Sequence, residues 1–180
     1  MIGIVSVCAG CALSQRRREP PAHLQLGATA RRFASPAERP VALRTSEPAV
    51  ATGDRGGMTG SLQFTVATPL HTYVGGELEG GALAARGSNL AGAYAVLGVS
   101  GTSRIGSLAL ELASGWRTMR YDLDTNDVGK VVAEPRVRGQ LWISSQLTLG
   151  AAAGATLGER GTWMAGIYLG IHSDPFGANR

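Results

Sequence analysis

Cysteine is confined to the first eleven residues of this 180-residue chain, at Cys8 and Cys11. Everything downstream is therefore without a disulfide, a thiol nucleophile or a Cys metal ligand. Lysine is nearly missing: Lys130 is the only one, against sixteen arginines. No apolar run reaches the roughly 20 residues that a membrane-spanning helix needs. Sustained helical periodicity, a Gly-rich phosphate loop in a strand-turn-helix context and His/Cys metal spacing are also lacking. These absences exclude a cofactor or metal enzyme of the common motif-bearing kinds, and no cofactor or metal is expected.

The net charge of +4 would usually raise nucleic acid or an anionic surface as a partner. The excess, however, sits between Ala12 and Gly57, where eight arginines face four acids; from Met58 onward nine basic residues balance nine acidic ones. A nucleic-acid-binding fold carries its basic excess on the domain itself, so no nucleic-acid partner is expected.

Three segments follow from composition: 1–11, 12–57 and 58–180. Met1 to Leu13 is apolar apart from Ser6 and the two cysteines, which is the length of a signal-peptide apolar region, although no basic residue precedes it. The run Val7-Cys8-Ala9-Gly10-Cys11 resembles the lipobox of bacterial lipoproteins, with Cys8 in a place where that family usually has Leu. The resemblance implies lipid attachment at Cys11 and, with Ala12 following, sorting to the outer membrane; a plain secretory signal is the alternative. From Ala12 to Gly57 the chain is rich in Arg, Pro, Ala and Ser, with prolines at 20, 21, 36, 40 and 48, and reads as a disordered linker. The cluster Arg16-Arg17-Arg18 suits either a solvated tail or contact with anionic lipid head groups.

From Leu62 the pattern changes to alternation with a period of two. Leu108, Leu110, Leu112, Ser114 and Trp116 share one face, while Ala109, Glu111, Ala113, Gly115 and Arg117 share the other. Val131 to Ile143 repeats the pattern, with Glu134, Arg136, Arg138 and Gln140 on its polar side. Similar alternation runs through Leu62 to Val66, Tyr73 to Ala82, Asn89 to Ser100, Gln146 to Leu157 and Thr162 to His172. Turn-forming stretches separate them, the longest being Asp122 to Asp127. The pattern predicts an all-β fold, an antiparallel up-and-down β-barrel of about eight strands behind a disordered N-terminal tail. Seven strands are visible; bacterial barrels take even numbers, so the eighth comes either from the linker near Val41 to Thr52 or from two strands read as one.

A soluble barrel places apolar residues inside, and a membrane barrel inverts this. The polar faces hold Glu77, Glu79, Glu111, Arg117, Glu134, Arg136 and Arg138. Acids on some strands matched by arginines on others suit a closed lumen in which buried charges are paired. Tyr73, Trp116, Tyr121, Trp142 and Trp163 fall near strand ends, as aromatic girdles do. With Tyr73-Val74-Gly75-Gly76-Glu77-Leu78-Glu79-Gly80-Gly81 and Trp163-Met164-Ala165-Gly166-Ile167-Tyr168-Leu169-Gly170, the chain resembles the small outer-membrane β-barrel proteins of Gram-negative bacteria over roughly Gly60 to Phe176. The resemblance implies outer-membrane lipid and the barrel-assembly machinery as partners. Phe176, followed by four more residues, departs from that family's terminal aromatic.

Catalysis is not expected. His23 falls in the linker segment, His71 in a turn, and the adjacent His172, Ser173 and Asp174 alternate faces and so do not form a triad. The functional expectation is an outer-membrane barrel with a structural, adhesive or small-solute role. A periplasmic lipocalin-like barrel with an apolar ligand is the alternative, and a membrane-embedded lipid-modifying enzyme comes third.

Overall fold

A computed structural model describes residues 22–33, 55–68, 70–84, 88–120, 128–158 and 161–173. Eight strands follow in chain order: β1 (Ala22–Phe33), β2 (Arg55–Thr68), β3 (Thr72–Leu83), β4 (Asn89–Thr102), β5 (Gly106–Arg120), β6 (Val128–Trp142), β7 (Leu147–Ala155) and β8 (Trp163–His172). Each pairs antiparallel with its sequence neighbours, and β1 pairs β8 from His23↔His172 to Arg32↔Trp163, closing the barrel. Closure removes both sheet edges, the usual weakness of an all-antiparallel fold.

The eighth strand is β1, which corrects the segment reading twice. It lies inside the stretch assigned to a disordered linker, at Ala22–Phe33 and not near Val41 to Thr52, and β2 begins three residues before Met58. The physical reason is visible in the residues. His23, Gln25, Thr29, Arg31 and Phe33 are buried, while Leu24, Leu26, Ala28 and Arg32 are exposed, so β1 alternates like every other strand. Prolines on both sides hid a twelve-residue strand within a Pro-rich average.

The two ends of the barrel differ. At one end lie the start of β1, the end of β8 and the short turns after β2, β4 and β6; at the other, 21 residues join β1 to β2, and the connections after β3, β5 and β7 are also found there. In the turn after β2, Leu70 and His71 both take positive φ, 69° and 60°. Left-handed residues suit the twist of a hairpin, at a steric cost of about 1–2 kcal/mol for each that is not glycine.

Large aliphatics face outward around the wall: Leu26, Leu78, Leu108, Leu110 and Ile167 are each more than 60% exposed. Two apolar clusters lie inside. Phe33, Leu83, Leu90 and Met119 fill the long-loop end of the lumen, and Tyr73, Tyr94, Val96, Ala109, Ala113 and Val132 pack along one inner side. Glycines make room for the inward tyrosines. A Cβ on Gly98 would stand 2.1 Å from the Tyr73 ring, and one on Gly150 would stand 2.2 Å from the Tyr168 ring.

Candidate functional site

The chemistry of the described residues is concentrated in the lumen, where the buried charges among them are four arginines and four glutamates. Strand alternation delivers each one: Arg31 from β1, Glu77 and Glu79 from β3, Glu111 and Arg117 from β5, and Glu134, Arg136 and Arg138 from β6. Arg117 and Glu134 are wholly out of contact with solvent. Ionised groups removed from water are tolerable only when paired and hydrogen-bonded, and the bonding here is dense.

Arg31 clamps two carboxylates. Its Nε and Nη2 donate to the two oxygens of Glu79 at 2.5 and 2.7 Å, and Nη1 and Nη2 donate to those of Glu134 at 2.8 and 3.1 Å. Such forked guanidinium–carboxylate pairs are the strongest form of charge-assisted bond. Glu79 also accepts from the hydroxyls of Thr59 at 2.5 Å and Tyr94 at 3.0 Å. Glu134 is the hub, accepting further from Arg117 at 2.5 Å, Arg136 at 3.0 Å and the Thr156 hydroxyl at 2.8 Å.

Arg136 links this group to a second one. It donates to Glu77 and, at 3.5 Å, to Glu111. Glu111 accepts from Arg138 at 3.1 Å, Gln63 at 3.1 Å and the Tyr73 hydroxyl at 3.0 Å. The Arg138 guanidinium lies 4.6 Å from the Tyr168 ring centroid, and Arg117 lies 5.2 Å from that of Phe33. One connected network thus ties β1, β3, β5 and β6 together across the barrel.

The network continues towards the short-turn end. Arg138 donates to Gln25 Oε1, which fixes the Gln25 amide so that its Nε2 donates to His23 Nδ1 at 3.2 Å. With Nδ1 accepting, His23 Nε2 carries the proton and donates to Thr148 Oγ1 at 3.1 Å. The His23–Thr148 contact has the spacing of a base and a nucleophile, but the tautomer is the wrong one for taking the hydroxyl proton, and Thr148 is fully buried. His172 stands edge-on to His23 at 5.5 Å and to Trp142 at 5.1 Å.

Two cavities of about 20 Å³ each lie in the lumen, and both are lined by Gln25, Gln63 and Arg138. A site of that size accommodates about one water molecule. Gln63 Oε1 and Gln140 Oε1, which have no hydrogen-bond partner among the described residues, provide acceptors for it. Both cavities are lined in part by these polar and charged side chains, whereas the lipocalin-like alternative calls for an apolar one.

All seven charged residues singled out from the sequence lie in this network. Sequence reasoning missed Arg31, Gln25 and His23 because they lie on β1. The missing arginine had left a signal: the seven comprise four acids and three bases, an imbalance that a closed lumen does not sustain.

Of the five aromatics read as a girdle, Trp116 and Trp163 face outward, 51% and 43% exposed. Tyr73 is corrected to the lumen, since it shares the inward face of β3 with Glu77 and Glu79. Trp142 is corrected as well. It is half-buried at the short-turn end, beside His172, and its indole N–H donates to the Ser103 carbonyl at 3.2 Å. Tyr121 and Cys11 lie outside the described residues.

No protein-family model and no curated protein matches the chain. Two solved structures are similar. The crystal structure of Neisserial surface protein A is 9% identical, with a TM-score of 0.54, over 86% of this chain and 97% of that one. The N-terminal β-barrel domain of Pseudomonas aeruginosa OprF is 14% identical, with a TM-score of 0.49, over 83% and 96%. At such identities the first likeness establishes the fold, a closed eight-stranded antiparallel barrel, and leaves the role of this chain to its own residues.

Proposed function

We propose that this chain spans a bacterial outer membrane as a filled barrel with a structural or adhesive role, its long-loop end facing the cell exterior. The observation that carries the reading is the inverted polarity of the wall: leucines and isoleucines outside, a paired Arg/Glu network inside. In water the exposed leucines would cost about 25 cal/mol for each Å² left wet, whereas in hydrocarbon they cost nothing. The strands, 9 to 15 residues long, meet or exceed the 9–11 residues that a tilted strand needs to cross. Short turns lie on the periplasmic side of such barrels and longer loops on the outer side, which sets the orientation. Assembly machinery and outer-membrane lipid are the partners this reading implies. A lipid on Cys11 belongs to the same proposal, and no catalytic step is assigned.

Cell fractionation tests it. The mature protein should sediment with the outer membrane and resist extraction without detergent, and Leu110→Arg should block insertion, since Arg near the bilayer midplane of a barrel costs roughly 2–4 kcal/mol. Cells fed a labelled fatty acid would show in the same fractions whether Cys11 is acylated. Wild-type protein recovered soluble in the periplasm would end the membrane reading.

A further inference from the structure

At the long-loop rim one strand outruns its neighbour. The strand β6 pairs with β5 from Val128↔Met119 to Leu141↔Gly106, but with β7 only from Arg136 to Trp142. Beyond that ladder a single further bond joins β6 to the chain of β7, from the Leu157 amide to the Ala133 carbonyl at 2.8 Å. Five more residues of β6, Val128 to Val132, run past it, about 16 Å at 3.3 Å per residue. The chain of β7 does not follow them. Thr156 donates its amide to the Thr162 carbonyl at 3.4 Å, and Gly158 and Gly161 take positive φ, so the connection folds back into β8.

Backbone alternation decides which groups this edge presents. The Trp142 amide donates to Ile105 on the β5 side and the Ala133 carbonyl accepts from the β7 side, so odd-numbered residues of β6 aim their N–H and C=O at β7. Pro135 belongs to that set. It has no N–H to give β7, and the continuous ladder begins only at Arg136. Past Ala133 the remaining two are Gly129 and Val131, whose β7-side N–H and C=O groups have no partner among the described residues. Val131 is 72% exposed and stands opposite Trp116 across the β5–β6 pair, and the Trp116 indole lies so close over Gly129 that a Cβ there would be 2.4 Å from the ring. Backbone groups are not left unpaired in hydrocarbon, and an outward tryptophan suits the interface, which puts this edge at the exterior surface of the membrane.

We propose that the β6 edge at Gly129 and Val131 receives an extended segment of another polypeptide at the cell surface, added antiparallel to β6 and in line with β7. The proposal deepens the adhesive part of the reading above and rests on it. The chemistry of the edge selects the occupant: donor and acceptor pairs that recur every second residue match an extended backbone, whereas a lipid offers no such repeat. Side chains on the outward face of the added strand meet Val131 and Trp116, so a β-branched or aromatic residue belongs opposite Val131. A second copy of the chain fits less well. Two copies inserted in one membrane point β6 the same way, so their edges meet parallel, the less stable pairing.

Amide hydrogen exchange, followed by NMR on the full chain in lipid nanodiscs, tests the proposal. With no partner added, the Gly129 and Val131 amides should exchange fast, and those of Lys130 and Val132, which face β5, slowly. A short peptide that alternates threonine and valine between terminal lysines should slow exchange at Gly129 and Val131 and saturate. The same peptide N-methylated at every second amide keeps one bonding edge and should still act; methylated at every amide, it should not. Val131→Pro removes the open-edge N–H without touching the β5 ladder and should weaken peptide binding about fivefold, the worth of one net backbone hydrogen bond, while Val131→Ile should bind like wild type. Should Val131→Pro fail to fold, the methylated peptides decide the matter on the wild-type chain. Slow exchange of both amides without peptide, or protection that grows with the concentration of the chain, would mean that the edge is covered by its own residues or by a second copy, and would overturn the proposal. So would binding that survives methylation at every amide. A chain that inserts but shows no peptide-dependent protection loses the strand site and keeps the membrane reading; a chain that stays out of the nanodiscs loses both.

Discussion

Arg31 is the charge that β1 brings to the lumen network. Four hydrogen bonds leave its guanidinium for two carboxylates that sit on different strands. In Arg31→Ala, Glu134 would keep Arg117, Arg136 and Thr156, whereas Glu79 would keep only the hydroxyls of Thr59 and Tyr94. A buried carboxylate stripped of its cation typically costs about 3–5 kcal/mol. The expected outcome is a large fall in the unfolding midpoint of the refolded barrel. Arg31→Leu combined with Glu79→Leu should be destabilised by less than the sum of its two single variants, since no charge is stranded at that pair. An Arg31→Ala midpoint within error of wild type would mean that the pairing contributes nothing. At this scale the sequence was readable wherever two cues agreed. Glu111, Glu134 and Arg136 stood on faces opposite to leucines and valines, so charge and alternation pointed the same way. Tyr73 is the exception, because its place near a strand end suits a girdle while the face it shares with Glu77 and Glu79 turns it inward.

Glycine placement shows how the strands fit one another. An added Cβ on Gly115 would lie 2.0 Å from the Ala93 carbonyl oxygen, a backbone atom of β4 that cannot turn aside. On Gly60, which faces outward, the nearest atom is 3.9 Å away. Gly115→Ala should therefore force the β4–β5 pair apart and lower stability by about 1–3 kcal/mol, the usual cost of overpacking. Gly60→Ala should be neutral or slightly stabilising, because glycine weakens a strand when nothing requires it. Heat-modifiable gel mobility of the two variants would compare them directly, and equal behaviour would refute the steric account. Seven of the eight strands were legible as elements because each carries an alternating run bounded by turn residues. The strand β1 has the same alternation, but its sequence, Ala22 to Phe33, lies between prolines and arginines, and a composition window averages them together. Ring closure was the stronger constraint: seven strands cannot pair first to last in antiparallel order, so the eighth had to exist, and the alternation of His23, Gln25, Thr29 and Arg31 marks where.

As a whole the molecule is a column of three fillings inside one wall. Phe33, Leu83, Leu90 and Met119 close the long-loop end, the Arg/Glu network occupies the middle, and His23, His172 and Trp142 lie towards the short turns. Among the described residues four buried guanidiniums balance four buried carboxylates, so the middle section offers an entering ion no net charge. The two cavities there, about 20 Å³ each, accommodate single waters and not a hydrated ion. To pass, an ion must shed its hydration shell into a site whose carboxylates and guanidiniums are already paired with one another, and the effective penalty for burying a charge in this way is several kcal/mol. Displacing a paired arginine to make room costs a comparable amount. Both routes are closed by more than thermal energy, so the barrel is expected to be impermeable despite its polar lumen. Proteoliposomes containing the wild-type chain should hold an entrapped salt or sugar gradient as well as protein-free vesicles do, and planar bilayers should show no reproducible single-channel steps. Steady conductance from the wild-type barrel would mean that the network opens as a unit, and the filled-lumen account would then be wrong.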